Sequence, residues 1–218
     1  VTPVKRRIEL LNWTSLKRGR FIIEDDYDSE FRFFGNPIPA MKGMDKFDRV
    51  IYMNSFSKTL APAFRVSFMV LPEELVRLYH ERLDFFSSSV PIVNQLVLSE
   101  FLRSGEYEKH LNRMKINYKT KRDYLIKKLL DSSIKDKIRI YGEEAGLHFL
   151  VDVMTQKSEV YLVEKAKSQS VRVYGLSEYF INKCEFLKVK TIVFGYSNLS
   201  IEQIDIGVDL LNEAWKNI

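Results

Sequence analysis

Two short apolar runs, each ended abruptly by polar residues, place the strongest constraint on how this chain can fold. The first lies within "RFIIEDDYDSE" (20–30) and the second within "DRVIYMNSF" (48–56). Continuous apolar runs of this length are typical of strands buried on both faces of a parallel sheet. A third run, "RVSFMVL" (65–71), precedes a predicted helix with Pro72 at its N-terminal end. Short strands separated by helices and loops predict an α/β layer fold with a mainly parallel sheet.

The second half of the chain follows a different pattern. Apolar residues spaced three, four or seven apart predict one long helix over about 105–131, joined to a preceding helix at Gly105. Ser200 and Gln203 form a predicted capping box in front of a last amphipathic helix. We therefore predict a large domain over 1–115 and a small C-terminal α+β domain over 116–218. The small domain would contain four runs that alternate like strands, at 138–142, 146–153, 171–176 and 190–199.

The charge of the chain gives little support to direct binding of nucleic acid. The formal charge of +5 results from 34 Lys and Arg against 29 Asp and Glu, so most of the positive charge is balanced. The basic stretch 115–128, with tyrosines between its lysines, could be a nucleic-acid patch or the solvated face of the long helix. The helical period of its apolar residues favours the solvated face.

The compartment can be inferred from the cysteine content and the apolar runs. The single cysteine, Cys184, excludes an internal disulfide framework and is typical of a reducing compartment. No apolar run reaches the roughly 20 residues that span a bilayer. The first residues, "VTPVKRRIELLNW", contain no signal-peptide core. We expect a cytoplasmic protein without a membrane partner.

Polar residues follow the first two strands at their carboxyl ends, where a parallel sheet places its ligand site. The first strand offers Asp25, Asp26 and Tyr27, the second is followed by Lys58, and Arg65 comes just before the third. A lysine that forms an imine must be desolvated or lie beside other cationic charge. A pyridine ring that withdraws electrons needs an acidic partner on its nitrogen. Hydroxyl groups and an arginine suit a phosphate dianion, so the combination indicates a lysine imine with a phosphorylated pyridine cofactor.

Longer segments carry a resemblance to a known family. "IIEDDYDSEFRF" (22–33) and "SFSKTLAPAFRVSFMVLPEEL" (55–75) resemble the fold-type I aminotransferases, which use pyridoxal 5′-phosphate. "EEAGLHFLVDV" (143–153) and "FGYSNLSIEQIDIGVDLL" (194–211) match the same group. Within it, the chain resembles the aminotransferase-like domain of the MocR subfamily of GntR-type bacterial transcription regulators. The resemblance covers nearly the whole chain.

The resemblance implies a role for each residue of the site. Lys58 would form the imine with the cofactor, Asp25 would pair with the pyridine nitrogen, and Tyr27 would donate to the ring's 3-oxygen. The phosphate would be held by Ser55, Ser57 and Arg65. Asp26 is the alternative partner of the pyridine nitrogen. Asp25 is preferred because Asp25 and Tyr27 would share one side of an extended strand.

Other polar residues are expected to have structural roles. Asp28 and Glu30 would belong to a loop or the surface, and His148 alternates with apolar residues as a strand residue does. His80 and His110 lie on predicted helices without a cluster of carboxylates or cysteines nearby. No metal site is predicted.

The chain departs from the family at three places. Pro3 runs straight into Val4, where relatives have a loop near the cofactor, so that loop is either deleted or left out of the sequence. The first half of the cofactor domain and the DNA-binding winged helix are also missing, which implies a C-terminal fragment. Val193 stands where aminotransferases place an arginine that binds the substrate carboxylate. Lys190, Lys188 and Arg172 are nearby in sequence but not at that place.

Three functions are therefore considered. The leading one is a sensor domain of a regulator that binds pyridoxal phosphate and a small amine or amino acid, forms a homodimer, and reaches DNA only through the missing N-terminal domain. The alternative is a free-standing class I/II aminotransferase that transfers an amino group between an amino acid and a 2-oxo acid. A third is an inert fragment, because the phosphate loop is missing. In the fragment alone, we expect no turnover and weak or no cofactor binding.

Overall fold

A computed structural model describes residues 2–35, 38–181 and 190–218. The chain forms two compact units. Unit 1 comprises Val1–Glu30 and Gly35–Met114, and unit 2 comprises Phe31–Phe34 and Lys115–Ile218. Cys184 and Lys188, which were considered above for their chemistry, lie outside the described residues.

Unit 1 contains a three-stranded sheet and four helices among its described residues. The strands are β1 (Ile22–Asp25), β2 (Val50–Ser55) and β3 (Ser67–Val70), in the order β1-β2-β3. The helices are α1 (Val4–Ser15), α2 (Met41–Met44), α3 (Glu73–Leu83) and α4 (Ile92–Arg103). All three predicted apolar runs form strands, and Pro72 is the N-cap of α3.

The sheet of unit 1 is mixed. β1 and β2 pair in parallel, whereas β2 and β3 pair antiparallel, with Ser55 opposite Ser67. The α/β class is confirmed, but one of the two described pairings departs from the mainly parallel sheet that was predicted. The reason is the connection between β2 and β3, which contains only turns and the short 3₁₀ helix Pro62–Phe64. A parallel crossover needs a dozen or more residues, usually in an α-helix, so the short connection reverses the chain.

A buried carboxylate fixes β1 against the helices that flank it. Glu24 is 7% exposed. Its two oxygens accept hydrogen bonds from the backbone N–H groups of Met41 (2.7 Å) and Lys42 (2.9 Å), at the start of α2. The guanidinium of Arg7, on α1, lies 3.3 Å from the same carboxylate. A carboxylate at a helix N-terminus satisfies N–H groups that have no partner within the helix, so Glu24 holds α1, β1 and α2 together.

The long helix α5 (Glu106–Leu130) follows α4 after Gly105, which adopts a left-handed φ of +73°. The predicted helix of about 105–131 is confirmed. Tyr118, Leu125 and Leu129 are buried, and lysines such as Lys115 are exposed. The basic stretch therefore forms a solvated helix face, as the apolar period indicated.

Unit 2 contains a four-stranded sheet with two further helices. The strands β4 (Ile138–Tyr141), β5 (His148–Val153), β6 (Tyr174–Gly175) and β7 (Thr191–Gly195) run antiparallel in the order β4-β5-β7-β6. The helices are α6 (Glu159–Ser168) and α7 (Ile201–Trp215). Ser200 and Gln203 form the predicted capping box at the start of α7. The buried stripe of α7 consists of Ile204, Val208, Leu211 and Trp215.

Candidate functional site

The strand register of unit 1 brings Asp25 and Ser55 to one face of the sheet. Asp25 pairs with Met53 across the parallel ladder, and Ser55 lies two residues beyond Met53. Side chains that pair across a sheet, and those two positions apart along a strand, point to the same face. We call this the Asp25 face. Tyr27 lies two residues past the end of β1 and is 40% exposed.

Asp26 points to the opposite face and already has a partner there. One of its oxygens accepts a hydrogen bond from the hydroxyl of Tyr52 at 3.0 Å. In contrast, Asp25 is exposed, and no hydrogen bond or ion pair engages its carboxylate within the described part of the chain. Of the two neighbouring carboxylates, Asp25 is therefore the one available to a ligand at the Asp25 face.

Lys58 lies in the turn that directly follows β2. The turn is closed by a hydrogen bond from the N–H of Leu60 to the carbonyl oxygen of Phe56 (2.8 Å). The N–H of Ser57 donates to Oγ of Ser55 at 3.1 Å. The side chain of Lys58 is exposed, and no described residue forms a hydrogen bond or an ion pair with its amine. The sequence thus fixes the backbone at this point while the amine itself stays accessible.

The same turn is held from α5 by two residues whose role the sequence did not reveal. Thr59 is 1% exposed. Its hydroxyl accepts a hydrogen bond from the hydroxyl of Tyr107 at 3.2 Å, and its carbonyl oxygen lies 2.9 Å from Nε2 of His110. Burial raises the pKa of Tyr107, which keeps its phenol protonated as a donor. No local motif could have indicated these contacts, because about 50 residues separate the partners.

Arg65 reaches the same neighbourhood through an unusual backbone conformation. It adopts a left-handed φ of 50° at the end of the 3₁₀ helix Pro62–Phe64. This conformation is uncommon in residues other than glycine and carries a modest free-energy penalty. The N–H of Phe56 donates to the carbonyl oxygen of Val66 at 3.0 Å, which continues the β2–β3 ladder by one pair. The guanidinium of Arg65 lies 3.5 Å from the carbonyl oxygen of Pro62, in the same connection.

The position of the expected carboxylate-binding arginine is occupied by an apolar residue. Val193 lies in β7, paired with Leu150 on one side and Tyr174 on the other. The guanidinium of Arg172 stacks over the ring of Tyr174, 5.0 Å from its centroid. The amine of Lys190 donates to the carbonyl oxygen of Thr155. Neither described basic residue takes the place of the arginine.

The described residues contain no group of three or more His, Cys, Asp or Glu side chains that could hold a metal ion. His148 is an exposed residue of β5, as its alternation with apolar residues indicated. Among the described helices, none is long and apolar enough to cross a membrane.

The family model for aminotransferase class I and II matches residues 26–189. The chain belongs to this family. The match covers most of the chain, including Tyr27 and the segment from Ser55 to Arg65, and begins one residue after Asp25.

Curated relatives of this aminotransferase family member are transcription regulators. The uncharacterized HTH-type transcriptional regulator YdeL of Bacillus subtilis is 39% identical over 99% of this chain and 46% of the relative. The probable rhizopine catabolism regulatory protein MocR of Rhizobium meliloti is 31% identical over 91% of this chain and 40% of the relative. The chain spans about half the length of the curated relatives that it matches. The resemblance to MocR-type regulators is therefore confirmed.

Solved structures of aminotransferases share the fold. The kynurenine aminotransferase of Pyrococcus horikoshii, solved in complex with PMP, superposes with a TM-score of 0.85 at 24% identity, over 99% of this chain and 52% of that one. LysN, the α-aminoadipate aminotransferase of Thermus thermophilus, superposes with a TM-score of 0.79 at 26% identity, over 99% of this chain and 55% of that one. LysN was solved with N-(5′-phosphopyridoxyl)-L-leucine. The fold is that of the fold-type I aminotransferases, as predicted.

Proposed function

We propose that this chain is the aminotransferase-like part of a bacterial transcription regulator, and that it binds pyridoxal 5′-phosphate through Lys58 as a sensor of a small amine or amino acid. The observation that carries the proposal is the shared face of Asp25 and Ser55, with the accessible amine of Lys58 in the turn that follows Ser55. The regulator relatives and the phosphopyridoxyl complex of LysN support it.

The donor set of unit 1 fits the chemical groups of this cofactor. A phosphate dianion would be bound by the hydroxyls of Ser55 and Ser57 and by the two-pronged guanidinium of Arg65, all at the end of β2 or in the connection between β2 and β3. The carboxylate of Asp25 would hold a proton on the pyridine nitrogen. The hydroxyl of Tyr27 would donate to the 3-oxygen of the ring.

The protein's own groups would prepare Lys58 for its role. When bound, pyridoxal phosphate supplies an aldehyde that reacts with amines and a ring that withdraws electrons. The hydrogen bonds to Thr59 from Tyr107 and His110 would hold the turn in place, so the amine is presented in one position.

The organisation of the whole protein follows from the same proposal. Unit 1 would form part of the large cofactor domain (1–115) and unit 2 the small C-terminal domain (116–218); the boundary between the two compact units, at Met114 and Lys115, supports this division. DNA would be bound by a separate N-terminal domain, as the HTH-type names of the relatives suggest. We further propose a homodimer in the cytoplasm.

The second candidate is an aminotransferase that moves an amino group between an amino acid and a 2-oxo acid. LysN, which is 26% identical and is an aminotransferase, favours it. Val193 argues against it, because no guanidinium is available there to bind a substrate carboxylate in two points. If the full-length protein transfers the amino group of an amino donor to an oxo acid, the aminotransferase function is supported over the sensor function.

The proposal is tested by adding pyridoxal phosphate to the full-length protein and following visible absorbance and cofactor retention on a desalting column. The parent protein should acquire a visible band, and Lys58→Ala should lack it. Lys46→Ala is the matched control, because Lys46 is also an exposed lysine of unit 1. A band that persists in Lys58→Ala would refute the lysine assignment.

A further inference from the structure

A cavity of about 730 Å³ opens on the face of the unit 1 sheet that lies opposite the Asp25 face. Tyr52, Asn54 and Phe68 point into it from β2 and β3, at positions that alternate with Met53 and Ser55. The remaining walls come from α4, from Glu30 and Tyr107, and from Phe56 and Val66 in the connection between β2 and β3. The volume is in the range of sites that bind small molecules.

The walls of this cavity are mostly apolar and aromatic. Phe56 and Phe68 lie side by side with ring centroids 5.8 Å apart, and Leu98 and Leu102 of α4 face them. Such walls suit a flat or branched hydrocarbon group, which would leave water on entering.

One end of the cavity carries a linked set of polar groups with net negative charge. The amide nitrogen of Asn54 donates to the hydroxyl of Tyr52 (3.0 Å) and to Oε1 of Glu30 (3.3 Å). The hydroxyl of Tyr52 in turn donates to Asp26 (3.0 Å). Asn54 is buried, at 8% exposure, and the other three members of the set are half-buried. Burial raises the pKa of Tyr52 to about 12, and the Asp26 carboxylate contributes to the shift.

At this polar end of the cavity, one carboxylate oxygen of Glu30 accepts no hydrogen bond from the described residues. Its Oε2 is buried and has no hydrogen-bond partner in the part of the chain that the structure describes. Among the described residues that line the cavity, none is basic. A buried carboxylate oxygen without a donor is unfavourable, and a ligand that brings a positively charged N–H group would satisfy it.

We propose that this cavity is a binding site for organic ammonium ions: a protonated amine on a hydrocarbon or aromatic body, whose N–H donates to Oε2 of Glu30 while the body packs between Phe56, Phe68 and Leu98. Aromatic faces beside the ammonium group add cation–π attraction. The site lies on the other face of the sheet from Asp25, so it does not depend on cofactor binding by Lys58.

The test uses N,N-dimethylbenzylamine and calorimetric titration of the full-length protein near neutral pH. This tertiary amine is protonated under these conditions and has an N–H to donate, but it cannot form an imine with an aldehyde. We expect saturable binding at one site. Glu30→Gln should weaken binding about tenfold or more, which is the size of a lost charged hydrogen bond. Benzyl alcohol, which has the same ring and no charge, should bind at least that much more weakly.

Three further variants distinguish binding in this cavity from binding elsewhere on the protein. Glu100→Gln removes an exposed carboxylate from α4, outside the cavity lining, and should leave binding unchanged. Lys58→Ala should also leave it unchanged, whether or not Lys58 holds the cofactor. Ser99→Phe places a ring inside the cavity and should abolish binding. If Glu30→Gln does not fold, Ser99→Phe still tests whether the amine binds in this cavity. Unchanged affinity in Glu30→Gln or in Ser99→Phe, or no saturable binding by the parent protein, overturns the proposal.

Discussion

Nε2 of His110 lies 2.9 Å from the carbonyl oxygen of Thr59, the residue that follows Lys58. A carbonyl oxygen only accepts hydrogen bonds, so Nε2 must carry the proton in this contact. Together with the bond from Tyr107 to the Thr59 hydroxyl, it ties the lysine turn to α5. In the proposed site, these two residues would position the lysine by holding its turn.

The first prediction concerns this positioning role. His110→Ala removes one hydrogen bond to the turn, which contributes about 0.5–1.5 kcal/mol, so cofactor affinity should fall severalfold, up to about tenfold. The visible band should keep its position, because Lys58 is still present. Affinity is measured by titrating the full-length protein with pyridoxal phosphate.

The matched control is His80→Ala. His80 lies on α3, where its exposed ring pairs with Asp84 four residues on. Affinity should remain at the parent value in this variant. If both histidine variants lose affinity equally, the contact with Thr59 has no special role at the lysine turn.

The second prediction distinguishes the neighbouring carboxylates of β1. Asp25→Ala should weaken cofactor binding strongly, because the pyridine nitrogen loses its acidic partner, while Asp28→Ala should have a much smaller effect. Asp26→Ala should mainly reduce stability, because the Tyr52 hydroxyl loses its acceptor on the opposite face. Retention of the cofactor and the urea midpoint are measured for each variant. Equal losses of cofactor in Asp25→Ala and Asp28→Ala would show that the pyridine partner has been misassigned.

The sequence predicted what depends on local patterns. The long helix α5 follows from the repeat of Tyr118, Leu125 and Leu129, and the start of α7 follows from Ser200 and Gln203, because these features involve neighbours within a few turns of one helix. That Asp25 and Tyr27 share one side remains a prediction from the period of a strand, because Tyr27 lies past the end of β1.

Features that depend on distant contacts could not be predicted in this way. The antiparallel direction of β3 depends on how the chain between Phe56 and Val66 turns. The contacts of Thr59 with Tyr107 and His110 join residues that come together only in the folded unit. Glu30 lies in a turn, as expected of a loop residue, but its buried Oε2 beside a cavity that α4 also lines could not be foreseen from the sequence.

The third prediction concerns the free energy of unfolding at alkaline pH. The pKa of Tyr52 is about 12 in the folded protein, whereas an exposed tyrosine titrates near pH of about 10. Because the folded-state pKa is higher than the unfolded one, protonated Tyr52 contributes fully to the free energy of unfolding below about pH 10. This contribution is lost as the pH rises towards about 12. The free energy of unfolding should therefore fall over this range, and less steeply in Tyr52→Phe. The difference in tyrosinate absorbance between parent and variant should show one group titrating near the upper end; a midpoint at the ordinary tyrosine value would contradict the buried setting of Tyr52.

The last prediction compares two glycines with opposite backbone requirements. Gly207 lies inside α7, and a Cβ added there would meet no atom within 4 Å. Gly207→Ala should raise the free energy of unfolding by about 0.5–1 kcal/mol, because alanine loses less conformational freedom in a helix. Gly105, between α4 and α5, has a φ of +73°, so Gly105→Ala should lower stability by about 1–2 kcal/mol although there is space for the methyl group. Urea denaturation of the two variants measures both changes. Two shifts of the same sign would show that backbone conformation does not govern these positions.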